Sequence, residues 1–79
     1  MKACAFVLHT KEPDETLQQL GKFFQCRKLF VEKLNMDRYS SGQASVYVHC
    51  QLGGDQILKI TQGLEDVKGV YEVTRMIEK

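Results

Sequence analysis

The stretch RKLFVEKLNM, residues 27–36, decides how the rest of the chain is arranged. Apolar Leu29, Phe30 and Val31, then Leu34 and Met36 with charges between them, read as a β-strand over Leu29–Met36. A helical pattern beginning at Leu17 runs straight into it, and a turn signal, Tyr39-Ser40-Ser41-Gly42, follows it. The chain therefore leaves a helix, crosses a sheet and turns back. The alternation along the strand is imperfect, because Val31 has odd parity while Leu34 and Met36 have even parity. One extra residue near Glu32-Lys33, a β-bulge, would put all three on one face. Alternatively both faces are apolar and something covers the second. Either reading gives a strand that meets a partner and not only solvent.

Working outward, Ala3–His9 (ACAFVLH) is apolar on both parities, as suits a central strand. Thr10–Glu15 (TKEPDE) is a loop and helix start, with Pro13 suited to the first helical position and Asp14 and Glu15 to the positive end of the dipole. The spacing predicts a helix to about Lys28, with Leu17, Leu20, Phe24 and Phe23 on its buried stripe. Gly21 beside that stripe is read as a point of close helix-to-sheet approach. On the other side, Asp37–Gln43 is a polar hairpin connection, and Ala44–Gln51 alternates cleanly, Ala44, Val46, Val48 and Cys50 against Ser45, Tyr47, His49 and Gln51. Gly53-Gly54-Asp55 breaks that strand and offers Asp55 as an N-cap. A second helix to about Asp66 places Ile57, Ile60, Thr61 and Leu64 on one face, and Val70–Ile77 forms a last strand after Gly69.

The order is strand, helix, strand, twice, with no low-complexity linker. Residues 1–79 are read as one α+β domain of ferredoxin-like βαββαβ topology: a four-stranded antiparallel sheet, order 4-1-3-2, with both helices on one face. The first and third strands are expected to be central and parallel to each other. The second lies on an edge, and an apolar edge is a template for another chain's strand. Its residues Phe30, Val31, Glu32, Lys33, Leu34, Asn35 and Met36 are the candidate dimer edge, with Lys33 and Asp37 as its only obvious protections.

Composition narrows the function. Seventy-nine residues with 43% hydrophobic content make a small folded domain with a thin stability margin, for which oligomerisation is a common remedy. Eleven basic against ten acidic residues give net charge +1, no electrostatic footprint for nucleic acid or an anionic membrane. No apolar run is long enough to span a bilayer, and Met1-Lys2 opens no signal peptide, so the expected setting is cytoplasmic. Cys4, Cys26 and Cys50, an odd number without C-x-x-C, read as reduced thiols. Cys4 and Cys50 are placed at opposite ends of the central strands, which argues against a disulfide. His9 and His49 are placed at the same end, on the open face; without a carboxylate or thiol at matching reach they are read as surface histidines and not a metal site. Nothing assembles a nucleophile, a base and an oxyanion donor, so no catalytic residue and no cofactor are expected in this chain.

Four segments carry a family resemblance: PDETL (Pro13–Leu17), CRKLFVEKLNM (Cys26–Met36), ASVYVHC (Ala44–Cys50) and ITQGLEDVKGVYEV (Ile60–Val73). In order and spacing they resemble an ACT domain, and more narrowly the short form of the small regulatory subunit of acetolactate (acetohydroxyacid) synthase. The resemblance implies a non-catalytic subunit that pairs side by side with a second copy through sheet edges. Its partner would be the catalytic large subunit of acetolactate synthase, which carries the thiamine diphosphate, FAD and magnesium of branched-chain amino acid synthesis. It also implies an effector loop before the first helix, here Thr10, Lys11, Glu12, Asp14 and Glu15, which in the family reads N-x-x-G and holds the carboxylate of an amino acid, often branched-chain. In this chain Glu12 and Glu15 stand at the motif positions, so a weakened or absent effector site is expected. A free-standing amino-acid-sensing module of another pathway is the alternative.

Overall fold

The computed structural model describes residues 2–77. Six elements follow in chain order: β1 (Lys2–Thr10), α1 (Pro13–Arg27), β2 (Phe30–Arg38), β3 (Ala44–Leu52), α2 (Ile57–Glu65) and β4 (Val70–Ile77). The sheet order is β2-β3-β1-β4, and every neighbouring pair is antiparallel. This is the predicted ferredoxin-like arrangement, with one correction: β1 and β3 are antiparallel, not parallel. Each split βαβ unit keeps its own two strands parallel, but the β2–β3 hairpin reverses the second unit relative to the first.

The reversal moves the side chains that were placed by direction. Cys4 lies directly opposite Cys50, both buried and both free thiols, so the expected separation is wrong. His9 faces Ser45 and His49 faces Ala5, so the two histidines share the open face but not one end of it.

The core lies between one sheet face and the two helices. Cys4, Phe6 and Leu8 of β1 and Val46, Val48, Cys50 and Leu52 of β3 meet Leu20 and Phe23 of α1 and Ile57, Ile60 and Leu64 of α2. Alternate strand positions enter this core because side chains point to opposite faces with period two. β3 obeys the rule without exception. β2 obeys it only through a bulge. Val31, Leu34 and Met36 pair with Cys50, Val48 and Val46, and the register skips at Glu32. Of the two readings that residue parity left open, the bulge is the one present, and it turns all three apolar residues toward the helices.

Pro13 opens α1 as predicted, where its missing N–H costs nothing. Lys28 ends the helix in the left-handed region, φ 52°, and the following Leu29 N–H donates to Phe24 O at 3.1 Å. The buried stripe is Pro13, Thr16, Leu20 and Phe23, with Phe24 partly buried against the core. Leu17, predicted in that stripe, is 36% exposed; Thr16 occupies the inward position, because its hydroxyl has polar partners there. Gly21 makes no close approach to the sheet: a Cβ at that position would meet nothing within 4 Å. The close approach is made by Gly63 of α2 instead, where a Cβ would stand 2.5 Å from Phe23 Cε2. Asp55 does not cap α2; Gln56 precedes the helix, and its side-chain Oε1 accepts the Gly53 N–H at 3.0 Å.

Candidate effector loop and sheet edge

The loop between β1 and α1 is held by a directional chain of hydrogen bonds. Thr16 Oγ1 donates to Lys68 O at 2.8 Å, which uses its single proton. Thr10 Oγ1, 2.6 Å from Thr16 Oγ1, is therefore the donor to it. Thr10 Oγ1 in turn accepts the Glu12 N–H at 3.0 Å. Both threonines are fully buried, so every donor and acceptor in the relay is satisfied where an unpaired one would be costly. The relay fastens the loop to the segment between α2 and β4. Lys11 N–H also donates to Gly69 O at 2.9 Å, and Gly69, at φ 88°, packs so closely that a Cβ would lie 2.8 Å from Thr10 Oγ1.

The predicted effector residues do not converge. Thr10 points inward to Thr16. Lys11 lies over the Tyr71 ring on the β4 side, 5.6 Å from its centroid. Asp14 reaches the opposite way and pairs with Arg38 at the end of β2. Glu15 pairs with Lys68 Nζ at 2.7 Å, and its hydrogen bond and charge, with a smaller contribution from Glu12, raise the Lys68 pKa above its ordinary value. Asp14 and Glu15 are thus both matched by cations. The donor supply is poor for a different reason: Pro13 has no N–H, the Glu12 N–H is engaged by Thr10, and the Glu12 side chain makes no cap bond.

Arg38 links this loop to the edge strand. β2 pairs with β3 on one side only, and its solvent side is the sheet boundary. Along that boundary Phe30 is 66% exposed and Leu34 38% exposed. α1 lies on the β2 side and α2 on the β4 side. Between α1 and the start of β2 runs an open groove of about 870 Å³, lined by Gly21, Phe24, Leu29, Phe30 and Val31 among others. A smaller groove, about 380 Å³, separates α1 from α2 and exposes Cys26; there the Arg27 guanidinium lies over the Phe23 ring at 4.0 Å.

On the open sheet face the bulged Glu32 accepts from Gln51 Nε2 at 2.8 Å and lies 3.6 Å from His49 Nδ1. Burial raises the Cys50 thiol from 9.0 to about 11, helped by Cys4 and Glu32. Such a thiol is a packing residue and not a nucleophile. Among the described residues no group of three or more His, Cys, Asp or Glu side chains is placed to hold a metal ion, and no helix is long and apolar enough to cross a membrane.

Sequence reasoning missed Thr16, Arg38, Lys68 and Gly69 as partners of the loop. Apart from the six-residue Thr10–Thr16 bond, these links run from 24 residues of chain for Asp14 to Arg38 up to 58 for Lys11 to Gly69, and leave no local pattern. The one available signal was a threonine four residues before Leu20 on the buried stripe.

No family model matches the chain, and no curated protein matches it in sequence. Solved structures do match. The ACT domain from GTP pyrophosphokinase of Chlorobium tepidum superposes with a TM-score of 0.77 at 12% identity, covering 95% of this chain and 97% of that one. The chain has the ACT fold. An uncharacterized protein from Thermotoga maritima aligns over 99% of this chain and 98% of its own, TM-score 0.79 and 11% identity. A homoserine dehydrogenase from Thiobacillus denitrificans aligns over 99% of this chain but only 17% of its own length, TM-score 0.77 and 11% identity.

Proposed function

We propose that this ACT-fold chain is a non-catalytic regulatory module that works by assembly, completing its sheet with a second copy and acting on a catalytic partner. The observation that carries the reading is the unpaired β2 edge, flanked by exposed Phe30, Leu34 and Leu17 and tied through Arg38 to the loop before α1. A surface of that kind is an aggregation hazard unless a partner covers it.

The finer reading names the catalytic large subunit of acetolactate synthase as the partner, on the four sequence segments given above. The mechanism would be differential binding: the small chain favours the state of the large subunit that it binds more tightly. A coupling of ~1–3 kcal/mol changes affinity about 5–150-fold. Co-purification with the large subunit and assay of its activity test this; an unchanged activity at saturating small chain would end the acetolactate synthase reading.

The loop is expected to bind amino acids poorly. It offers few backbone donors, and Glu12 keeps an unneutralised carboxylate beside it. Calorimetry with valine should give no heat. Glu15→Gly, which frees the Lys68 ammonium and adds a glycine at the family position, should permit measurable binding. The alternative, a free-standing amino-acid sensor, would show instead as heat with leucine, isoleucine or valine in the unaltered chain.

A further inference from the structure

We propose that the second copy adds to the β2 edge in one register, with Asn35 on the two-fold axis. This rests on the reading of that edge as an assembly surface and fixes what that reading leaves open.

In an antiparallel pair, residues directly opposite each other lie on the same sheet face. In β2 the bulge sets Val31, Leu34, Met36 and Arg38 toward the helices and Phe30, Lys33, Asn35 and Asp37 toward the open face. A symmetric pair must therefore be centred on a residue. Centring on Lys33 or on Asp37 stacks a charge on itself. Leu34 at the centre sets helix-facing Met36 against bulged Glu32. Met36 at the centre sets Arg38 against Leu34 and leaves Lys33 unmatched. Asn35 at the centre sets Lys33 opposite Asp37 of the second copy, twice, and Leu34 opposite Met36, twice. Neither Lys33 nor Asp37 has an ion-pair partner among the described residues of its own chain. Residues that look like guards against pairing are thus complementary in one register and repulsive in others. The β4 edge has no such register: Glu72 pairs on the open face with His9, while Arg75 pairs on the helix side with Phe6.

Gly21 of α1 lines the groove beside Leu29, Phe30 and Val31, and a Cβ there would meet nothing within 4 Å, so the flank of α1 above β2 has room for a second helix. In a pair of antiparallel α1 helices the acidic first turn of one, Asp14 and Glu15, faces the basic end of the other, Arg27 and Lys28.

The test uses the full chain. Sedimentation equilibrium should show a dimer that Lys33→Asp and Asp37→Lys each weaken, by roughly tenfold or more in Kd, and that the double variant restores. In a Cys26→Ser background, Asn35→Cys should cross-link to itself on exchange with oxidised glutathione, releasing two glutathione thiols per disulfide; Lys33→Cys should not. A chain monomeric throughout the micromolar range overturns the assembly reading itself. A dimer that both charge variants leave intact, or that the double variant fails to restore, or cross-linking at position 33 as fast as at 35, keeps the assembly and overturns this register.

Discussion

β3 and β2 are neighbouring strands of nine residues each, joined by a hairpin, and each sends Val or Leu side chains toward the same helices. In β3 every inward residue is buried, Ala44, Val46, Val48, Cys50 and Leu52. In β2 the corresponding residues are only half covered, and Leu34 remains 38% exposed. The difference is not in hydrophobicity but in neighbours. β3 has a strand on both sides and two helices above, while β2 has a strand on one side and the open flank of α1 above it. The apolar content of an element states what it must bury, and the fold decides whether its own chain supplies the cover.

Truncation gives the largest contrast between the two strands. Leu52→Ala in β3 should cost ~2–5 kcal/mol at any protein concentration. Leu34→Ala in β2 should cost under ~1 kcal/mol in dilute solution, and more as concentration rises if the edge is covered by a second copy. Urea denaturation at two concentrations measures both; a concentration-independent Leu34→Ala would remove the need for a partner at that edge.

The loop supplies the next effect. Thr16→Val leaves Lys68 O without its donor and the buried Thr10 hydroxyl without its acceptor, for ~1–3 kcal/mol. Exchange of the Glu12 and Lys11 amides should quicken in this variant, because the loop loses its tie to the α2–β4 segment.

The two helices carry glycines of opposite meaning. Gly63→Ala should destabilise by ~1–3 kcal/mol, because Phe23 must move to admit a Cβ. Gly21→Ala should stabilise the dilute chain by ~0.5–1 kcal/mol through helix propensity, while weakening a dimer in which the α1 helices touch. Thermal melts of the two variants should shift in opposite directions.

A smaller effect is alkaline. The folded state holds the Cys50 proton to about 11, against 9.0 for the free thiol. Between these values the unfolded chain binds fewer protons than the folded one, so stability falls as pH rises from about 9 to about 11. The Lys68 ammonium, raised by Glu15, acts with the same sign: its contribution is complete below 10.5 and is lost as pH climbs through its folded value. Cys50→Ala should flatten the first part of this decline in a pH series of denaturation midpoints.

Much of the fold was legible because it is written in short-range parity. The bulge at Glu32 was one of the two readings that Val31, Leu34 and Met36 allowed, and Pro13 marked the start of α1. Strand direction was misjudged, and with it the Cys4–Cys50 juxtaposition, because direction depends on following the hairpin through both halves rather than on any residue. Leu17 and Gly21 were misplaced by the same cause that makes the β2 flank informative: a helical stripe is wide, and only the fold shows which border of it remains uncovered. The site was least legible. The loop residues were identifiable by position, but Arg38, Lys68 and Gly69 reach it from distant parts of the chain, and no local spacing announces them.

The most direct test compares the two sheet edges by hydrogen exchange at low and high protein concentration. The amides of β2 over residues 33–37 should gain protection as concentration rises, while those of β4 over residues 72–76 stay unchanged. Protection gained at β4 instead, or at neither edge, would contradict the account.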